Sequence, residues 1–387
     1  MIEIDFYHID AFEVSVFLPI YHALENIGIR PRPVLPNDEI STASIGYLDI
    51  DQCIRFYKKN KIKYYSAPNY SNPVCTTQGS EFLSLYKSLR IRIPYGPNIY
   101  PYGWGLSRKS TIGFDCILVH GEYYRKYLSY FIDINKIHVS GYPRYDDYFS
   151  SKSNNKKEIK TSCFDIDFKI NTILMLPTWG SNSSLNSLLK LSEKLQDRFN
   201  ILLKPHHLSV VRDSNILDSF KDIRCIILRN NDVLIKALSV SDIVICDIRS
   251  CTFGESILAN KKTIGLALNK SDYQWVTQAK LDEIAYIAYD INDIEECIEK
   301  YIKQDEFINS RRSWIQDKVK FSDGSSSAMT AEILQECVNN SHISLFKKTL
   351  RKAFAFIFIR KWVNQRLSTK IISRLHLLII KCLGNYK

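Results

Sequence analysis

One stretch, Asp247 to Glu255 (DIRSCTFGE), concentrates side chains suited to holding an anion within this 387-residue chain. It follows the unbroken apolar run Ile243 to Cys246, the pattern of a parallel strand covered on both faces. A helix is predicted to open at about Phe253. Ser250, Cys251 and Thr252 then fall near its first turn, where hydroxyls cap the backbone. Unpaired N–H groups and the helix dipole attract phosphate at such an end. Ligands of open α/β sheets collect at the carboxyl ends of strands, the position Asp247 takes. The same residues would also suit an ordinary strand-to-helix crossover, so neighbouring loops must decide. Leu176 to Gly180 (LPTWG, with Thr178) and Leu203 to His207 (LKPHH) both leave predicted strands of the same half. Lys204 can neutralise phosphate charge, and one of His206 and His207 can donate to a phosphate oxygen or act as a general acid.

Such loops need a sheet to carry them, and the chain alternates short strands with helices throughout. Ile2–Tyr7 reads as a strand and Phe12–Asn26 as a helix closed by Gly28. Asp49–Asn60 reads as a helix, Ile62–Ser66 as a strand, and the alternation continues through Val74–Gln78 and Glu81–Leu89. Arg90 to Arg108, rich in Gly, Pro and aromatics, reads as a loop facing a cleft. A strand at Cys116–His120, a helix at Glu122–Phe131 and a strand with a Gly-Pro-Arg turn at Lys136–Asp147 follow. Ser150 to Lys160 is polar and charged, as a linker would be. The alternation then restarts: strands at Asn171–Leu176, Asn200–Lys204 and Cys225–Leu228, helices at Leu185–Asp197, Val210–Phe220 and Leu234–Val240. This is the pattern of doubly wound sheets, and the length favours two domains. The expected division is 1–150, 165–336 and a tail at 337–387.

Composition narrows the partners. The net charge is +11, but residues 337–387 contain eleven Lys and Arg and no acid, so the remaining 41 basic residues balance the 41 acidic ones. A neutral globular body with a basic tail is not the footprint of a nucleic-acid-binding domain. The ten cysteines include no C-x-x-C pair, which suggests reduced thiols in a cytosolic protein with no zinc site. Acids at the N-terminus argue against an export signal.

Several of these stretches together resemble the CDP-glycerol glycerophosphotransferases, the polymerases and primases of teichoic acids and related capsules. The resemblance rests on GYPRYDD at Gly141 to Asp147, LPTWG, KPHH, the DVLIKALSVSDIVICDIRSCTFGE element and FSDGSSSAMTAEI at Phe321 to Ile333. It implies a GT-B fold, two Rossmann-like domains facing a cleft, with acceptor bound by the first and nucleotide donor by the second. It implies attack of an acceptor hydroxyl on the β-phosphorus of a CDP-alditol with release of CMP. His206 matches the family histidine on the donor pyrophosphate, and Asp247, Arg249, Ser250 and Cys251 match its D-Y-S-S phosphate loop. Glu255 would meet the donor ribose. Asp323, Gly324 and Ser325 match a late turn closing on the same site, while Gly96 and Arg144 fall on the acceptor side. Where the family has a catalytic histidine before Gly-Thr, this chain has Tyr95 before Gly96, and a tyrosine of ordinary pKa near ~10 is a weak base. His120, before Gly121, is the alternative base. No metal ligand set and no cofactor are expected.

The segment 345–383 mixes Lys and Arg with Phe, Ile, Leu and Trp362, and its apolar runs are too short to span a bilayer. It reads as an amphipathic helix on an anionic membrane surface, placing the protein peripherally on the cytoplasmic face. The reading is thus an alditol-phosphate transferase acting on a lipid-linked glycan or polymer acceptor. A GT-B glycosyltransferase using a UDP- or CMP-sugar, and a membrane-bound nucleotide-binding protein without catalysis, stay open as alternatives.

Overall fold

The computed structural model describes residues 1–8, 11–35, 50–77, 83, 86–97, 111, 113–150, 163–167, 169–212, 214–229 and 233–340. The expected linker (150–160, beyond Ser150), most of the loop 90–108 and the basic segment 345–383 lie outside them. The described residues form two compact units. Of these residues, one unit takes those in 1–95, 111–146 and 318–340, the other those in 96–97 and 147–317.

The first unit is built on a six-stranded, all-parallel sheet. Its strands are β1 (Glu3–Tyr7), β2 (Arg30–Val34), β3 (Val74–Thr76), β4 (Arg90–Arg92), β5 (Cys116–Val119) and β6 (Ile137–Val139), in the order β2-β1-β3-β4-β5-β6. Helices α1 (Glu13–Asn26) and α2 (Ile50–Lys59) cover one face, burying Phe17, Ile20, Leu24 and Tyr57 against Ile4, Phe6 and Ile91. Helix α3 (Glu122–Ser129) covers the other with Tyr124 and Leu128. Two strands were hidden in the sequence. The alternating prolines of β2 suppress a strand signal, yet they are tolerated because β2 is an edge. β4 begins where a loop was expected, and its Arg90 and Arg92 are buried. The strand expected at Ile62–Ser66 is reduced to a single bridge between Val34 and Tyr65.

The second unit is a second all-parallel sheet: β7 (Thr172–Leu176), β8 (Asn200–Leu203), β9 (Ile226–Ile227), β10 (Ile243–Asp247), β11 (Lys262–Leu266) and β12 (Tyr286–Ala288). Their order, β12-β11-β10-β7-β8-β9, runs outward in both directions from the adjacent β7 and β10. That pair is the topological switch point, where ligands of doubly wound sheets bind. The helices between them are α4 (Leu185–Leu195), α5 (Leu234–Val240), α6 (Cys251–Leu258) and α7 (Lys270–Ala279), and α8 (Asp293–Lys303) and α9 (Ile308–Lys318) follow β12. The helix expected over Val210–Phe220 is instead a short helix, His207–Arg212, followed by a tighter 3₁₀ segment, Ser214–Phe220.

From Lys318 the chain returns to the first unit, before the division expected at Glu336. Helix α10 (Ser326–Asn339) buries Ala331, Ile333 and Leu334 in the core formed by β1 and α1. Its approach crosses Gly141, which has φ +74 and would place a Cβ 2.3 Å from Ser326 Oγ and 2.6 Å from the Lys320 carbonyl oxygen. Among the described residues no helix is long and apolar enough to cross a membrane. Gly141→Ala combines left-handed strain with a backbone clash and should cost more than about 2 kcal/mol in urea unfolding. A midpoint equal to wild type would contradict this crossing.

Candidate functional site

Register places the loop chemistry of the second unit. Cys246 pairs with Leu176, so Asp247 lies one residue past the end of β7 and faces the backbone that leaves it. Its Oδ2 accepts from the N–H of Thr178 at 2.6 Å and of Ser184 at 3.2 Å. The carboxylate therefore ties the LPTWG loop and the entry to α4 to the end of β10. Burial pushes Asp247 up to about 6; the bonds from Thr178 and Ser184 restrain the rise, and Asp272 adds to it.

The β8 exit lies beside the same strand, because Met175 pairs with Leu203 and the Lys204 N–H donates to the Met175 carbonyl at 2.9 Å. His206 follows. Its Nδ1 accepts from the Leu208 N–H at 3.2 Å, so the ring proton sits on Nε2. Burial, then the charges of His207 and Lys204, push its pKa down to about 2, leaving it neutral at physiological pH. The ring stacks on His207, 4.3 Å away, and lies 6.1 Å from Trp179 of the β7 loop. A neutral imidazole with Nε2–H is a hydrogen-bond donor for an anionic oxygen.

At the β10 exit Ser250 caps α6, accepting from the Thr252 N–H at 3.3 Å and hydroxyl at 2.8 Å. Arg249 is braced by α7: Nε bonds Asp272, Nη2 donates to Ser271 at 2.7 Å, and the guanidinium lies 5.5 Å from the Trp275 ring. Asp272 also completes a capping box with Asn269. Arg249 thus shares its charge with a carboxylate. Thr178, Lys204, His206, Arg249, Ser250 and Cys251 keep partial exposure, whereas Asp247 (4%) and Glu255 (1%) are withdrawn from the surface. Sequence reading missed Ser184, Ser271 and Asp272; the Asn269–Asp272 spacing before an apolar-periodic run is the signal that points to the last.

The first unit assembles its own group. His120, 3% exposed at the end of β5, donates from Nδ1 to the Gly141 carbonyl at 3.2 Å, which in the neutral imidazole leaves the lone pair on Nε2. Its ring lies 4.9 Å from Tyr142 and 5.6 Å from Tyr124, and its carbonyl accepts from the Lys320 N–H at 2.9 Å. Tyr95 reaches this cluster through its backbone, its carbonyl accepting from the Tyr142 hydroxyl at 3.2 Å while its ring packs on Phe12 at 4.8 Å. Arg144, buried, lays its guanidinium 4.1 Å from the centre of the Phe12 ring, whereas Gly96, also buried, belongs to the second unit.

Asp323, Gly324 and Ser325 also belong to the first unit. The Asp323 carboxylate accepts from the Ser325 N–H at 3.0 Å and is held below the usual range by Ser325. Next to them Ser326 Oγ accepts from the Tyr142 N–H at 3.1 Å, and Asp146 accepts from the Ser326 and Ser327 N–H groups at 3.1 and 2.6 Å. A carboxylate at the positive end of α10 fixes that helix to the GYPRYDD turn.

The expectation of no metal ligand set meets one candidate among the described residues, Cys116, His138 and Cys337, whose ligand atoms all lie within 4.8 Å of one another. The Cys116 hydrogen bond pulls the Cys337 thiol down, against burial, and His138 adds to the fall. Residues so far apart in the chain carry no spacing signal.

Because the folded state holds the Asp247 proton more tightly than the usual ~3.9 of an unfolded aspartate, stability from this group is full below pH ~4 and lost as pH rises through about 6. Asp247→Asn should therefore remove a loss of roughly 2 kcal/mol between pH 4 and 7. Parallel wild-type and variant stability–pH curves would overturn the assignment.

Comparison with known proteins gives these features a family. Residues 111–335, more than half of the chain, match the family described as CDP-Glycerol:Poly(glycerophosphate) glycerophosphotransferase. No curated protein matches the chain by sequence. Among solved structures, the wall teichoic acid polymerase TagF is similar with a TM-score of 0.60 at 13% identity, over 87% of this chain and 89% of that one. A TagF variant soaked with CDPG gives 0.62, also at 13% identity, over 87% and 88%. UDP-GlcNAc 2-epimerase from Neisseria meningitidis, bound to UDP-GlcNAc, gives 0.59 at 15% identity, over 87% and 100%. These likenesses establish a GT-B-like fold, and the family match establishes the rest: the chain belongs to the CDP-glycerol:poly(glycerophosphate) glycerophosphotransferase family of enzymes.

Proposed function

We propose that the enzyme transfers an alditol phosphate, glycerol or ribitol phosphate, from a CDP-activated donor to a hydroxyl of a growing surface polymer such as a teichoic acid or capsule glycan. The observation that carries this reading is the convergence of the β7, β8 and β10 exits around the neutral His206 at the switch point of the second sheet. In this reading the second unit holds the donor. His206 Nε2–H donates to a pyrophosphate oxygen, Lys204 and Arg249 offset its charge, and Thr178, Ser250, Cys251 and the α6 N–H groups complete the cradle. Asp247 positions that cradle from beneath, and the buried Glu255 supports α6.

The first unit supplies the base. The Nδ1 bond to Gly141 orients His120 so that Nε2 can take the proton of the attacking hydroxyl. The new phosphorus–oxygen bond forms at the β-phosphorus as the bond to CMP breaks, and CMP leaves with the bridging oxygen. Tyr95 is a positioning residue here, holding Tyr142 against His120. Asp323, Gly324 and Ser325 present the return segment beside Gly141, and Arg144 stiffens the same acceptor side. The basic segment 345–383 would keep the enzyme on an anionic membrane surface where a lipid-linked acceptor lies.

CMP release from CDP-glycerol and CDP-ribitol in the presence of a polymer acceptor tests the reaction. His206→Ala should lower kcat by about 10²–10³ and His120→Ala by about 10²–10⁴, with wild-type circular dichroism. Full turnover in either variant would remove that residue from the chemistry, and release of UMP or UDP from a sugar donor instead would favour glycosyl transfer. Truncation after Asn340 should abolish co-sedimentation with vesicles containing anionic phospholipid; unchanged sedimentation would exclude the segment as the membrane contact.

A further inference from the structure

The start of α10 is fixed by Asp146 and Ser326. Its far end carries a second attachment. Leu118 pairs with His138 across β5 and β6, so Cys116 and His138 are diagonal neighbours on one face of the sheet. Cys116 belongs to the core that α10 covers, and Cys337, in the last turn of α10, packs against that core. Cys337 Sγ lies 3.0 Å from Cys116 Sγ and 3.9 Å from His138 Nε2. In a tetrahedral zinc site, bond lengths of about 2.3 Å to sulfur and 2.0–2.1 Å to nitrogen put sulfur atoms about 3.8 Å apart and sulfur and nitrogen about 3.6 Å apart. Both observed separations therefore differ from a zinc shell by less than about 1 Å.

We propose that Cys116, His138 and Cys337 bind a thiophilic d¹⁰ cation, Zn²⁺, with the fourth position open to water. Two thiolates and an imidazole are the donor set such a cation selects, and two thiolates neutralise its charge. A disulfide would need only the two sulfurs; the imidazole converging on Cys337 is what favours a cation. Cys116 is buried whereas His138 and Cys337 are partly exposed, so an ion could enter from their side. The bound ion would hold the end of α10 to β5 and β6, and through α10 the return segment whose Lys320 N–H bonds the carbonyl of His120. This role is structural and separate from the transfer chemistry proposed above.

The test uses full-length protein purified without chelator and analysed by plasma mass spectrometry for metal content. About one equivalent of zinc per chain is expected in wild type, falling at least ~10-fold in Cys337→Ala and in His138→Ala, which leave the buried Cys116 in place. Cobalt substitution should give sulfur-to-cobalt charge-transfer absorption and tetrahedral visible bands in wild type alone. Chelation should lower the wild-type Tm and leave that of Cys337→Ala unchanged. Three results would overturn the proposal: reduced wild type that takes up neither zinc nor cobalt, a Cys116–Cys337 disulfide in unreduced peptide maps without metal, or metal retained in both variants. The activity of wild-type enzyme is a separate readout, so failure of the metal site and failure of the transfer reading are distinguishable.

Discussion

A buried carboxylate that accepts from backbone N–H groups is the interaction on which the second unit's site depends. Asp247 ends β10 at the switch point and holds both the loop that leaves β7 and the residue that enters α4. Without it the single connection from β7 to α4 would leave two N–H groups unpaired at the end of a packed sheet, an expensive arrangement. With it, that connection is tied to the end of β10, where Ser250 caps the helix that follows. The cost is a carboxylate held in a poor solvent, which the raised pKa of Asp247 records.

The first unit repeats the device. Asp146 takes the leading N–H groups of α10, and Ser326 takes the Tyr142 N–H, so the GYPRYDD and DGSSS stretches are two halves of one contact. Their value lies in what stands between them. Gly141, whose carbonyl fixes the tautomer of His120, lies directly under the returning chain. His120 is thereby oriented by a turn that lies against the start of α10.

Much of this was legible in the sequence because parallel strands buried on both faces read as continuous apolar runs, as in β7, β8 and β10. The loops that follow them announced themselves by Pro, Gly, His and Ser. The strands that escaped did so for identifiable reasons: β2 is broken up by prolines at an edge, and β4 alternates arginines whose burial only tertiary packing explains. Arg249 was legible as an extra cation but not as one shared with Asp272, since a partner in the next helix leaves no local mark. The Asp146 cap of α10 and the Cys116, His138 and Cys337 cluster are likewise products of topology: strands adjacent in the sheet and a helix that returns from the far end of the chain. The assignment of residues 318–340 to the first unit follows from the same return.

The central claim is that the second unit's strand exits form a site for a cytidine-linked pyrophosphate. Its most direct test is thermal stabilisation of the full-length protein against CDP-glycerol, CDP-ribitol, CMP, CDP, UDP and UDP-N-acetylglucosamine, since a ligand raises Tm only by preferring the folded state. The account predicts a selective rise with the cytidine diphosphate compounds that shrinks in His206→Ala. A rise confined to the uridine compounds, or one indifferent to His206, would contradict it.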